Sequence, residues 1–146
     1  MPEIYKAELT VHSVIDNLTD EGLPDGDPEI NIFTTEGTIE FNGSHATVSY
    51  TEKGEGYVTE CTLKDNGDSI ALERRGAVEC DIRFAEGEIC KCIYRVPPYA
   101  FDMFVLTSKI RNSITIEGGE LQLIYSMNIG GQSKKVRMKI KATMKK

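Results

Sequence analysis

The chain has 146 residues, 40% apolar and 27% charged, with a net charge of −6. That length holds one domain, 1–146, with a sizeable core, and the mixed charge excludes a disordered acidic or basic tail. A collagen, a coiled coil and a disulfide-stapled miniprotein are also excluded, and nucleic acid is not an expected partner of so acidic a chain.

The start, MPEIYKAELT, has no cationic stretch leading into an apolar run, so no secretory signal is expected. No segment approaches the roughly 18–20 apolar residues of a membrane-spanning helix, and the expected location is cytoplasmic. From there apolar and polar residues alternate with period two along most of the chain, which predicts strands. The first runs over 4–16, and GLPDGDP at 22–28 is a polar loop that no strand crosses. Strands 29–42 and 44–53 flank Asn42-Gly43; strands 57–65 and 68–75 flank Asn66-Gly67. Asn-Gly is the strongest short hairpin signal, because a type I′ turn needs φ > 0 at both central residues. Strands 78–85 and 88–96 flank Glu86-Gly87. Next come 101–112 and 113–117, readable as one bulged strand. Within 98–111, Phe101, Phe104, Val105 and Ser108 also fit a short helical face. Strands 120–129 and 132–144 follow Gly118-Gly119 and flank Gly130-Gly131. The predicted fold is all-β: an antiparallel up-and-down meander of about 8–10 strands, closed into a barrel because a flat meander would leave two long edges.

Two-residue turns set the pairing. Phe41 is expected opposite Ser44, Ile39 opposite Ala46, Thr35 opposite Tyr50 and Phe33 opposite Glu52, with a bulge at Gly37 able to break that ladder. Leu63 is expected opposite Ile70, Cys61 opposite Leu72 and Thr59 opposite Arg74. Phe84 pairs with Ile89, Ile82 with Lys91 and Cys80 with Ile93. Tyr125 pairs with Val136, Leu123 with Met138 and Leu121 with Ile140. This phase turns Tyr50, Glu52, Arg74 and Arg95 inward among apolar neighbours. A buried charge needs a partner, so Arg74 and Glu52 are read either as a structural ion pair or as an anchor for an anion, a task suited to the Arg fork. The outward face of the last strand carries Lys135, Arg137, Lys139 and Lys141. It is either a solvated face that discourages edge pairing or a stripe for an acidic protein or RNA.

Catalytic chemistry finds no constellation. G-x-S-x-G, P-loop and G-x-G-x-x-G patterns are all missing from the sequence. Gly54-Glu55-Gly56 is a loop before a strand, and His12 and His45 stand alone. The expected phase puts Cys80 inside and Cys90 and Cys92 outside, which rules out a bridge between them and argues against a metal site. Neither a metal nor a cofactor is expected.

The succession VSYTEKGE, LERRGAV, IYRVPPYAF, LTSKI and ELQLIYSM resembles an uncharacterised bacterial family of small cytoplasmic barrels, a domain of unknown function with a calycin-like, lipocalin-like fold. The resemblance spans about residues 3–144. The family's Tyr-x-Glu falls on Tyr50 and Glu52 and its Arg-x-Gly on Arg74 and Gly76. Its Tyr and Pro-Tyr-Gly turn falls on Tyr94, Pro98 and Tyr99, with Ala100 here where the family usually has Gly. Its late Thr and Tyr fall on Thr107 and Tyr125. The resemblance implies a barrel that encloses one small ligand. Related fatty-acid carriers hold a carboxylate with Arg-x-Tyr on the last strand; here that strand reads Arg137-Met138-Lys139 and is expected to face outward. The reading is therefore a non-enzymatic barrel for a small anionic or amphipathic ligand, lined by Tyr50, Glu52, Arg74 and Arg95, with Tyr94 and Tyr99 at its rim. The alternative is a protein- or RNA-interaction module using the basic last strand. Phe33, Phe41, Phe84, Phe101 and Phe104, with four Met after position 100, are numerous enough to fill the interior and abolish any pocket.

Overall fold

The computed structural model describes residues 3–43 and 45–145. Ten strands follow in chain order: β1 (Glu3–Asn17), β2 (Glu29–Asn42), β3 (His45–Gly54), β4 (Tyr57–Asp65), β5 (Ile70–Gly76), β6 (Cys80–Phe84), β7 (Ile89–Val96), β8 (Tyr99–Asn112), β9 (Gly119–Ile129) and β10 (Gln132–Met144). They form one antiparallel sheet in the order β6-β5-β4-β3-β2-β1-β10-β9-β8-β7. The first and last strands pair from Ala7↔Met144 to Asn17↔Lys134, so β10 lies inside the sheet and its lysines guard no edge. Residues 99–112 are strand rather than helix, with a register shift between Thr107 and Lys109. The expected strand at 113–117 is instead a connection. It is closed by a Thr115–Gly118 bridge and buries Ile114.

The sheet's two edges, β6 and β7, meet at a seam, which leaves the barrel nearly closed. Glu79 and Arg95 exchange backbone hydrogen bonds of 2.9 Å there, outside any regular ladder. The hairpin expected around Glu86-Gly87 does not form. Phe84 and Ala85 are both buried, and two consecutive inward residues break the alternation. The corner then turns toward β8: the Gly87 N–H donates to the Thr107 carbonyl at 2.9 Å, and the Ile110 N–H to the Glu86 carboxylate at 2.9 Å. This slip inverts the expected phase of β7. Cys90, Cys92 and Tyr94 are half-buried against the core, while Ile89, Lys91, Ile93 and Arg95 are exposed.

The Gly130-Gly131 corner has the predicted register, Tyr125↔Val136, Leu123↔Met138 and Leu121↔Ile140. Two other corners differ from prediction by two residues. Asn42 pairs with His45, Phe41 with Ala46, Ile39 with Val48, and Tyr50 with Gly37 rather than Thr35; Ser44, the expected partner of Phe41, lies outside the described residues. At the next corner Leu63 pairs with Leu72, Cys61 with Arg74 and Thr59 with Gly76. There the Asp65 carboxylate accepts from the Gly67 N–H at 2.7 Å, and the Asn66 N–H donates to the Ser69 carbonyl at 2.9 Å, holding a wider loop than two residues. A shift of two preserves which face each side chain occupies, because the strand period is also two.

One half of the barrel is filled. Leu9, Ile39, Leu63, Phe84, Leu123 and Ile140 are fully buried there, and the Asn112 amide donates to the Asp65 carboxylate at 2.9 Å, joining β8 to β4. The other half differs because β2 and β3 part company. Their ladder ends at Gly37↔Tyr50, while β2 continues to Glu29 on β1 alone and β3 to Gly54 on β4 alone. Gly37 permits this departure: a Cβ there would lie 2.4 Å from the Ser49 carbonyl oxygen and 2.6 Å from Leu9 Cδ1. The result is a wedge-shaped slit in the wall.

Candidate functional site

Behind the slit the lumen is hollow. A cavity of about 1030 Å³ occupies this half, reaching from Leu72, Met103 and Tyr125 outward to Lys53, Tyr57 and Lys134. Phe33 and Tyr50 approach across the slit, ring centroids 6.1 Å apart. Tyr125 packs against Phe84, ring centroids 4.8 Å apart and planes tilted by 49°, and forms part of the boundary with the filled half. The aromatic and Met residues numerous enough to fill the barrel divide between tasks. Phe41 and Phe84 pack the core, Phe33, Met103, Met127 and Met138 line the cavity, and Phe101 and Phe104 are exposed.

A row of paired residues crosses the wall at this level: Gly37, Tyr50, Cys61, Arg74 and Cys80. Glu52 lies in the next inward row, beside Thr59 and Gly76. Cys61 and Thr59 are small, which lets the Arg74 guanidinium span β4 and donate to the Glu52 carboxylate. Gly76 serves the same row, since a Cβ would lie 2.2 Å from the Val58 carbonyl oxygen. Arg74 and Glu52 are each 22% exposed, so the pair faces the cavity from a largely buried position. Burial is the largest influence and weighs against the Arg74 charge, but Glu52, Cys61 and Tyr50 together outweigh it and its pKa is raised. Burial, with Cys61 and Glu52 nearby, raises the pKa of the Tyr50 phenol, and burial raises that of Tyr94. Both phenols are therefore neutral hydrogen-bonding groups, and the ion pair is internally compensated. The site can hold a polar group; it presents no activated nucleophile.

Of the residues the sequence singled out, Tyr50, Glu52, Arg74 and Tyr94 line this one cavity. Arg95 does not. Its side chain is exposed on the outer phase of β7, a consequence of the slip at residues 84–85. Tyr99 is 66% exposed at the start of β8 and lines no part of the cavity. Cys90 and Cys92, expected outside, face inward. Burial pushes the Cys92 thiol up to about 12 and Cys80 to about 11. Among the described residues no cluster of three or more His, Cys, Asp or Glu side chains is placed to hold a metal. Lys135, Arg137, Lys139 and Lys141 are exposed on β10, with Arg137 3.9 Å from Asp16 and Lys139 4.0 Å from Glu120. Among the described residues no helix is long and apolar enough to cross a membrane.

Sequence reasoning overlooked Lys134. It shares the inward phase of Val136 and Met138, pairs with Met127 and Asn17, and lines the cavity half-buried. The correctly registered Gly130-Gly131 corner already carried that signal.

Residues 18–141 match the model of a family described as a domain of unknown function, DUF1934. No curated protein matches the chain. Among solved structures, the ywiB protein from Bacillus subtilis is similar at 22% identity and a TM-score of 0.84, over 98% of this chain and 94% of that one. At that identity the likeness bears on the fold.

Proposed function

The chain belongs to the DUF1934 family, and we propose that its barrel is a cytoplasmic, non-catalytic carrier or sensor that holds one small amphipathic ligand in its open half. The reading treats the barrel as calycin-like, with the lumen as its binding site. The observation that carries it is the cavity of about 1030 Å³, at the upper end of the roughly 300–1,000 Å³ range of small-molecule sites. Its lining supports the same reading. Val11, Phe33, Met127 and Val136 offer apolar surface, and Tyr50, Tyr94 and the Arg74–Glu52 pair offer convergent polar groups. A small barrel with no ligand is ordinarily filled by side chains; this one is filled only to half its length.

Fluorescence titration with 1-anilinonaphthalene-8-sulfonate, together with thermal unfolding in its presence, tests the reading. Ser13 faces the cavity and is half-buried, so Ser13→Trp puts bulk into the hollow without removing a core side chain. Enhanced emission and stabilisation in the native chain, both lost in Ser13→Trp, are expected. An undiminished response in that variant places the dye elsewhere and refutes lumenal binding. Arg74→Ala serves as a control for the polar anchor, and a response it retains in full removes Arg74 from that role.

A further inference from the structure

The charges on the cavity wall are unequally matched. Its carboxylates are taken: Glu52 by Arg74 and Glu36 by Lys145. Its remaining cations, Lys53 and Lys134, have no carboxylate within 4 Å among the described residues. Lys53 is exposed at the slit, where water screens it. Lys134 is half-buried and lines the outer part of the cavity, level with Met127 and two residues from Val136, so its aliphatic stem borders an apolar surface. A protein of net charge −6 thus offers, among the described residues, a half-buried cation without a carboxylate partner on the wall of its cavity. Arg74 is the poorer anion site of the two, because an incoming acid would have to displace or sit beside the Glu52 carboxylate, which costs several kcal/mol.

Resting on the lumenal-binding reading above, we propose that Lys134 is the anion-recognition residue of the cavity. The ligand class is then a singly charged acidic amphiphile. Its acid group pairs with the Lys134 ammonium and its apolar body lies against Met127, Met138 and Phe33. The Arg74–Glu52 pair receives a neutral polar group of the ligand.

Dodecanoate, dodecanol and dodecylammonium share a tail and differ in the head. Each is titrated calorimetrically, below its micellar concentration, into the whole chain and into Lys134→Met and Lys134→Glu. Dodecanoate is expected to bind native protein at least about tenfold more tightly than dodecanol, the margin of one charge-assisted contact. Lys134→Met abolishes the margin without weakening dodecanol, and Lys134→Glu transfers the preference to dodecylammonium. That reversal is a gain of binding, which loss of folding cannot mimic. Equal native affinities for the acid and the alcohol, or a margin that survives in Lys134→Met, overturn the assignment while leaving lumenal binding standing. Failure of all three probes to bind the native chain overturns both.

Discussion

Removing the guanidinium from Arg74 leaves the Glu52 carboxylate without its partner in the lumen. Breaking a fully buried ion pair from one side costs about 3–5 kcal/mol. Here each side chain keeps 22% exposure and faces a cavity that opens to solvent, so water can reach the stranded carboxylate. The cost of Arg74→Met is therefore lower, about 1–3 kcal/mol, near the worth of a hydrogen bond to a charged group. For a chain of this size that is a fall in Tm of roughly 3–10 °C. Combining Arg74→Met with Glu52→Leu removes both charges and restores apolar contact, and the double variant should stand within about 1 kcal/mol of the native chain. Urea unfolding followed by circular dichroism, with m unchanged across the set, gives the double-mutant cycle. A coupling of about 2 kcal/mol is expected. If each single variant lies within about 0.5 kcal/mol of native and the coupling is near zero, the pair is screened like a surface ion pair. The case for Lys134 over Arg74 as the anion site then fails with it.

The raised pKa values of Cys80, Cys92 and Tyr125 predict alkaline destabilisation. Burial holds Cys80 at about 11, and Cys92 and Tyr125 at about 12. In the unfolded chain these groups lose their protons nearer 8.5 for thiols and 10 for phenols. Between the two sets of values the native state binds more protons, so stability falls as pH rises from about 9 toward 11. Chemical unfolding midpoints across that range report it; a flat profile would mean that these groups are solvated in the native state. Gly37→Ala is expected to destabilise by about 1–3 kcal/mol, because the new Cβ meets the Ser49 carbonyl and Leu9 at 2.4 and 2.6 Å. A neutral outcome, measured by thermal unfolding, would show that β2 and β3 can separate without a glycine.

Alternation of apolar and polar residues was enough to determine that the chain is an antiparallel meander of about 8–10 strands, and to within a few residues where most strands lie. It was also enough to face Tyr50, Glu52 and Arg74 inward, even though two Asn-Gly corners have a register two residues from the predicted one. The reason is that inward and outward depend only on parity, and a shift of two leaves parity intact. Three matters belonged to the tertiary structure. The phase of β7 turned on two consecutive buried residues, Phe84 and Ala85, the first of them packed on Tyr125, distant in sequence. That single slip carried Arg95 out and Cys90, Cys92 and Tyr94 in. Closure through β1 and β10, with the seam left between β6 and β7, is a pairing of chain ends that no local signal encodes. The hollow itself depends on β2 leaving β3 at Gly37, which sets volume rather than pattern. Local sequence specifies which side of a strand is apolar; how far apart two apolar walls stand is decided only when all ten strands share one space.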